Sequence, residues 1–339
     1  MNILAFETSC DETAVAVVRN GREIISNELF SQSDIHALYG GIVPEIASRQ
    51  HMLSIGPLCD KALENLPPDL QIDAVAVTVA PGLIGALLVG VNFAKSYAFA
   101  KNLPLIPVHH IRGHIASAYL SEPDLSPPFL AAVASGGHTQ LIHVKDYTVM
   151  TVIGTTRDDA AGEAFDKAAR VLGLGYPGGP AISALAESGD DSKYAMPFCQ
   201  TKTCEYDMSF SGLKTALLNL CHNTRQKGQE LDAPSAAACF EKAICQSIVS
   251  RTTAASKALG IKKIVMAGGV AANARLRREL VQAFGEHAHI PSVYLCGDNA
   301  AMIAAQAFYE YQDGVKGNTA LNAYASIPAD GDLNGLCQQ

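Results

Sequence analysis

The chain has 339 residues, enough for two domains with cores of their own, and its 48% apolar and 17% charged residues exclude disorder as its main state. Its formal charge is −8, from 25 basic and 33 acidic residues, which argues against a protein that coats nucleic acid through bulk positive charge. Nine cysteines, an odd number with no CxxC pair, match neither a disulfide framework nor a zinc ribbon and predict a reducing cytoplasm.

The N-terminus has no basic segment and reaches an acid at Glu7, so it does not read as a signal peptide. Residues 2–6, 14–19 and 23–30 run or alternate apolar and predict three strands, the last two joined by a hairpin turn at Asn20-Gly21. Pro44 opens a helix that Pro67-Pro68 stops. Residues 74–94 carry no charge and imitate a membrane span, but Pro81-Gly82 cuts the stretch. It reads instead as a buried strand over 74–79, a turn, and a helix over 83–100. A short strand follows at 105–108, and a helix begins near His109.

A second strand-rich start follows at 129–135 and 139–144. Ile3-Leu4-Ala5-Phe6-Glu7 and the later Thr13-Ala14-Val15-Ala16-Val17 compare with Ala131-Ala132-Val133-Ala134-Ser135 and the later Thr139-Gln140-Leu141-Ile142-His143. Each set is a strand, a small polar loop, a threonine and a second strand, which predicts an internally duplicated, two-lobed α/β protein. Helices are predicted over 160–172, 211–222 and 234–259, the last with Phe240, Ile244 and Ile248 on one face. A strand over 263–267, a helix over 271–284, a strand over 292–295 and a helix over 298–311 complete the pattern. The tail after Gly314 is polar and is predicted to pack loosely.

His110-Ile111-Arg112-Gly113-His114 places two histidines four residues apart on one helix face, where both can ligate one metal ion. His109 is out of phase with His114. A zinc peptidase would need a glutamate directly after the first histidine, and Ile111 stands there. A carboxylate would complete a two-histidine, one-carboxylate set, which suits iron or zinc. Asp298 is a candidate, with an ordinary helix N-cap as its alternative.

Glycine turns at 81–85, 135–138, 176–180 and 267–273 sit at strand-to-helix junctions. Together they point to a nucleotide-like ligand, though each alone reads equally as tight packing. Acids cluster at Glu7, Asp11 and Glu12, and at Asp158, Asp159, Glu163 and Asp166. These can bind hydroxyls or amines or move protons, while Asp158 and Asp159 also suit the first turn of a helix. Cys10 is a possible nucleophile with no identifiable base.

The segments ETSCDETAVAV, GGIVPEIASRQH, APGLIGALLVG, IPVHHIRGH, SGGHTQL, DDAAGEAFDKAARVLGLGYPGGP, SFSGLKTA, VMAGGVAAN and GDNAAMIA together resemble the bacterial TsaD family, formerly called O-sialoglycoprotein endopeptidases. The resemblance covers nearly the whole chain; only 193–206 and the tail look individual. It implies an actin-like, sugar-kinase-like (ASKHA) α/β fold with duplicated mixed-sheet lobes. The first lobe would span 1–108, with the helix at 298–313 packing back on it. The second would span 109–297 with a helical insertion at about 155–225, and 314–339 would be the tail. The implied activity is transfer of a threonylcarbamoyl group from threonylcarbamoyl-AMP to N6 of adenosine 37, in tRNAs reading codons that start with A.

The family's metal ligands fall on His110, His114 and Asp298, for iron(II) or zinc. Its adenylate-binding positions fall on Val133, Ala134, Ser135, Gly136, Gly137, Asp166, Gly179 and Asn273. Asp11 and Glu12 fall on acids at the mouth of the active site. The implied partners are tRNA, a TsaB-like paralogue and a TsaE-like ATPase, in the cytoplasm and without a membrane. A metalloprotease, a small-molecule kinase of the same fold and a non-enzymatic nucleotide-binding scaffold are the alternatives. Within the acidic whole, residues 251–290 hold Arg251, Lys257, Lys262, Lys263, Arg275, Arg277 and Arg278 against only Glu279 and Glu286. That segment is a candidate surface for weak, salt-dependent contact with tRNA phosphates.

Overall fold

The computed structural model describes residues 1–64, 66–197, 204–333 and 335. Cys199, in the segment that looked individual, and Cys337, in the tail, lie outside them. The chain divides into two compact units, one of Met1–Pro127, Val144–Thr151 and Tyr294–Gln339, the other of Pro128–His143 and Val152–Val293.

The first unit opens with β1 (Asn2–Glu7), β2 (Glu12–Arg19) and β3 (Glu23–Ser31), an antiparallel meander, then α1 (Ser33–Ala37) and α2 (Pro44–Glu64). β4 (Ala74–Ala80), α3 (Ile84–Lys101), β5 (Leu105–His109) and α4 (His110–Ser121) follow. Next in the chain, and in the second unit but for Val144 and Met150–Thr151, come β6 (Phe129–Ala134), β7 (Thr139–Val144), β8 (Met150–Thr155), α5 (Ala161–Val171), α6 (Gly178–Ala186), α7 (Ser211–Gln226), α8 (Ala233–Leu259), β9 (Ile264–Ala267), α9 (Ala274–Phe284) and β10 (Ala288–His289). α10 (Ala300–Gln312) returns to the first unit.

The first sheet has the order β3-β2-β1-β4-β5 and the second β10-β9-β6-β7-β8. In chain order both sheets thread alike, with the first strand central, the second and third on one side and the fourth and fifth on the other. The duplication expected from the two strand-loop-threonine-strand segments is therefore a duplication of topology. β1, β4 and β5 run parallel, and every residue of β4 is buried, as a central parallel strand covered on both faces requires. One face of the first sheet (Leu4, Phe6, Val15, Val77) clusters with Ile55 of α2 and Leu87 and Val91 of α3. The other (Ile3, Ala5, Ala16, Val18) clusters with Ala300, Ile303 and Ala304 of α10. α3 is the second half of the membrane-like stretch, and no described helix is long and apolar enough to cross a membrane.

Several expectations are corrected. The first unit runs past residue 108 through α4, because α4 packs against α10, close enough that a Cβ on Gly113 would lie 2.6 Å from Ile303 Cδ1. No strand forms at 292–295: Val293 and Tyr294 are 59% and 67% exposed, and Val293–Leu295 is a 3-10 turn. The fifth strand is β10, two residues long, and it ends just before Pro291, which lacks the N–H that would continue a ladder. α9 starts at Ala274 rather than 271, because Asn273 caps it. α1, β8 and α6 carried no clear sequence signal.

The described part of the tail, through Leu333, does not pack loosely. Val315, Leu321, Ala323, Ala329 and Leu333 are buried. Its backbone is held along the unit: Gly317 N–H donates to Leu105 O (2.8 Å), Tyr324 N–H to Val79 O (2.8 Å), and Lys95 Nζ to Leu321 O (2.9 Å). Arg112 completes the attachment from the middle of α4, donating to Ala329 O (2.8 Å), Gly331 O (2.7 Å) and Glu310 Oε1 (2.9 Å).

Candidate metal centre and ligand loops

The junction of β5 and α4 delivers the two histidines. His109 Nδ1 accepts from Ile111 N–H (3.2 Å), which starts the helix, and its Nε2 donates to Ile327 O (3.0 Å). The next helical positions point His110 and His114 the same way, with ring centroids 4.5 Å apart. Asp298 Oδ1 lies 3.5 Å from His110 Nε2 and 3.2 Å from His114 Nε2. Asp298 is not the N-cap of α10; Asn299 fills that role, its Oδ1 accepting from Met302 N–H (2.9 Å). One donor atom from each of His110, His114 and Asp298 lies within 4.8 Å of the others.

This set fits a single metal ion. His114 is fully buried, and among the described residues neither ring nitrogen makes a hydrogen bond; Nε2 stands near Asp298 but out of alignment. A buried imidazole left so is costly, and a cation at the convergence point would satisfy it. Glu7, fully buried at the end of β1, orients His110: its Oε2 accepts from His110 Nδ1 (3.0 Å) and Thr78 Oγ1 (2.6 Å), and its Oε1 from Ser9 N–H (2.5 Å). With Nδ1 engaged there, Nε2 faces the other donors. Glu7 was visible in sequence only as one acid of a cluster.

Burial works against the charged form of His110, but the carboxylates of Asp298 and Glu7 overcome it and lift its pKa to about 9. Burial and the neighbouring His110 charge keep His114 below the usual histidine range. The metal-free site therefore stores a proton on His110 that ligation must displace. Apparent affinity for zinc should rise by about tenfold per pH unit, roughly a hundredfold from pH 6.5 to 8.5, and level off above about 9. Competition with a chromophoric chelator measures this, and a pH-independent affinity would contradict it.

Asp11 and Glu12 sit where β1 turns into β2. Burial, with Asp298 and Asp11 nearby, pushes Glu12 up to about 10. Asp11 is 8% exposed. His51 of α2, which sequence reasoning passed over, supports this loop: Nε2 donates to Cys10 O (2.9 Å) while Nδ1 accepts from Thr13 Oγ1 (2.8 Å). Burial and then Asp11 push the Cys10 thiol well above the usual range, which removes it as a nucleophile. The glycines of the first turn serve packing, since a Cβ on Gly82 would lie 2.5 Å from Ser9 O and one on Gly85 2.6 Å from Ser48 Oγ.

The remaining predicted residues belong to the second unit. Val133 and Ala134 end β6 and are buried, whereas Gly136 and Gly137 are exposed with open space above them. The first turn of α5 grips this loop, Gly162 N–H donating to Ser135 O (3.1 Å) and Glu163 N–H to Gly136 O (3.1 Å). Those two amides of α5 are thus spent on the loop and do not face a ligand. Gly268, at φ +91°, ends β9 directly over the Ala134 carbonyl, where no Cβ would fit. The loops after β6 and β9 therefore leave the carboxyl ends of adjacent parallel strands, the usual ligand position in α/β sheets. Asp166 Oδ1 accepts from Gly178 N–H (2.7 Å), and Gly179 faces open space. Asn273 contacts Ser183 and Glu241, neither of which any motif flagged.

Two charge clusters are structural in large part. Asp158 accepts from Phe210 N–H (2.7 Å), Ser211 N–H (3.2 Å) and the Ser209 and Ser211 hydroxyls, so it caps α7 and not α5. Lys167 bridges Asp159 (2.6 Å) and Glu163 (2.7 Å). In the basic segment, Arg275 pairs with Asp191 and Glu279, Arg277 donates to Ala271 O and Pro291 O, and Arg251 donates to Glu205 O. Lys257, Lys262 and Arg278 remain exposed, a smaller basic surface than the sequence implied.

The family model for TsaD, tRNA N6-adenosine threonylcarbamoyltransferase, matches residues 23–305. The chain is 46% identical over 332 residues to the tRNA N6-adenosine threonylcarbamoyltransferase of Caldicellulosiruptor saccharolyticus, covering 97% of each chain. It is 49% identical over 331 residues to the protein of the same name from Geobacillus thermodenitrificans, covering 96% of each. Among solved structures it is similar to T. kodakarensis HypF, with a TM-score of 0.65 and 14% identity over 93% of this chain and 48% of that one. It also resembles component A of the Acidaminococcus fermentans (R)-2-hydroxyglutaryl-CoA dehydratase, with a TM-score of 0.52 and 17% identity over 92% of this chain and 99% of that one. These two likenesses speak to fold alone, an α/β fold with two mixed five-stranded sheets. At such identity over nearly its full length, the chain belongs to the TsaD family, transferases that modify tRNA.

Proposed function

We propose that this chain transfers the threonylcarbamoyl group of threonylcarbamoyl-AMP to N6 of adenosine 37 in tRNAs reading codons that start with A. The observation that carries the reading is the family match over nearly the whole chain. The adenylate binds at the loops Val133, Ala134, Ser135, Gly136 and Gly137, with Asp166, Gly179 and Asn273. The N6–carbamoyl bond forms, the carbamoyl–phosphate C–O bond breaks, AMP leaves and N6 loses one proton. Adenine must leave its stack for N6 to reach the carbonyl carbon.

His110, His114 and Asp298 hold iron(II), or zinc in its place. When bound, the ion supplies Lewis-acid polarisation of the acyl or phosphate oxygen. Glu7 holds the proton of His110 at Nδ1, so that Nε2 is the ligating atom. Asp11 and Glu12 stand at the mouth of the site, where one of them takes the proton from N6 or their charge steadies it. A TsaB-like paralogue and a TsaE-like ATPase work with the chain in the cytoplasm and supply much of the grip on tRNA, since the exposed basic surface is small. The peptidase reading gains nothing from the site: the position that must hold a general base is Ile111, which is buried.

Mass spectrometry of tRNA nucleosides from cells depleted of this protein tests the proposal. Threonylcarbamoyladenosine should fall severalfold or more and recover on re-expression. An unchanged level would sink it.

A further inference from the structure

The second unit holds a buried carboxylate that the mechanism above leaves without a role. Glu241, on α8, is 7% exposed and forms no ion pair among the described residues. Its Oε1 accepts from Ser183 Oγ (2.8 Å) and Asn273 Nδ2 (2.7 Å). Its Oε2 accepts no hydrogen bond among the described residues, yet it is not sealed from solvent. An ionised carboxylate at this depth is costly unless it has a partner. Here one oxygen is fixed by two donors and the other is held rigidly and left to solvent.

The carboxamide of Asn273, by contrast, is fully used. Its Oδ1 accepts from Leu276 N–H (2.8 Å) as the cap of α9 and also faces Cys245 Sγ (3.6 Å). Its two Nδ2 hydrogens go to Glu241 and to Ser183 (2.9 Å). An amide has two donors and two acceptor sites, and all four are taken by protein. Asn273 therefore meets the adenylate through its backbone and side-chain surface, and the group beside it that can still receive a ligand proton is the neighbouring carboxylate.

We infer that Glu241 Oε2 is the acceptor for a ribose hydroxyl of the adenylate, with Ser183 Oγ beside it as a second acceptor. The inference rests on the reading that an adenylate occupies the loops of this unit. Chemistry selects the hydroxyls. A carboxylate is acceptor-only and repels the phosphate, while a vicinal diol offers two O–H donors to two adjacent acceptors. Position agrees: Ser183 lies one helical turn beyond Gly179 on α6, and Gly179 faces open space.

Calorimetric binding of AMP, 2′,3′-dideoxy-AMP and IMP to the full-length chain and to Glu241→Gln tests this. Glutamine keeps the Oε1 acceptor that holds Ser183 and Asn273 but turns Oε2 into a donor. A purely structural role would therefore survive the change. The wild type should prefer AMP over the dideoxy analogue by about tenfold to a hundredfold, the usual range for a hydrogen bond to a charged group. Glu241→Gln should lose that preference while keeping its melting temperature, and both proteins should treat AMP and IMP alike. Retained preference in Glu241→Gln would overturn the assignment. So would a variant that loses discrimination between AMP and IMP instead, which would put the adenine amine at Glu241. If the wild type binds no AMP at all, the adenylate reading of these loops fails, a different result from AMP binding without ribose discrimination.

Discussion

Replacing His114 with alanine should abolish retention of a metal ion at the His110, His114 and Asp298 set and lower threonylcarbamoyl transfer by about a hundredfold or more, with the fold intact. His110 and Asp298 would remain as two donors, too few to retain the ion against a chelator. Alanine is the best helix former, and the substitution removes a buried imidazole that makes no hydrogen bond among the described residues. With chelator present, the variant should melt only modestly below the wild type, since removal of the unsatisfied ring offsets part of the cavity it leaves, whereas metal should raise the melting temperature of the wild type alone. Elemental analysis, a thermal melt with and without chelator, and a transfer assay read the three parts. A His114→Ala protein with one tightly held metal ion and full activity would remove the triad from the mechanism.

The second large effect is expected at Arg112, which lies between the two histidines on α4 but holds the tail. Arg112 and Glu310 are 6% and 1% exposed at their side chains and 2.9 Å apart. Arg112→Ala strands the Glu310 carboxylate, which burial already pushes above its usual range and which Arg112 helps hold down. Breaking a buried pair from one side typically costs about 3–5 kcal/mol. It also frees the carbonyls of Ala329 and Gly331, so the tail should become an early site of proteolysis. The double variant Arg112→Met with Glu310→Leu should recover much of the loss in denaturant midpoint, because no buried charge is then left alone. An Arg112→Ala protein with wild-type midpoint and an uncut tail would contradict this account.

The same two helices, α4 and α10, show how far the sequence could be read. The four-residue spacing of His110 and His114 sets their common face, because a helix repeats every 3.6 residues whatever it packs against. The Pro81-Gly82 break likewise turns a membrane-like run into β4 and α3 by local geometry alone. For Asp298 the local reading was ambiguous between N-cap and ligand. Asn299 takes the cap, and only the packing of α10 on α4 brings Asp298 to the histidines. The tail misled for a related reason. Its few apolar residues show no period, and its anchors are backbone carbonyls, which look alike at every residue.

Sequence alone thus determined what depends on spacing along the chain: the helix phase of the two histidines, the strand-loop-threonine-strand duplication and the family motifs. Tertiary structure alone decided which groups meet across long separations. It set Glu7 on His110, Arg112 on the tail, Arg275 on Asp191 rather than on a ligand, and Glu241 beside Ser183 and Asn273. It also qualified the opening charge of −8: three of the seven basic residues that offset it locally are held by the protein's own carboxylates and carbonyls. The reason is physical. A formal charge or a buried carboxylate has no fixed meaning until the fold supplies its partner, because desolvation and pairing are of similar size and opposite sign.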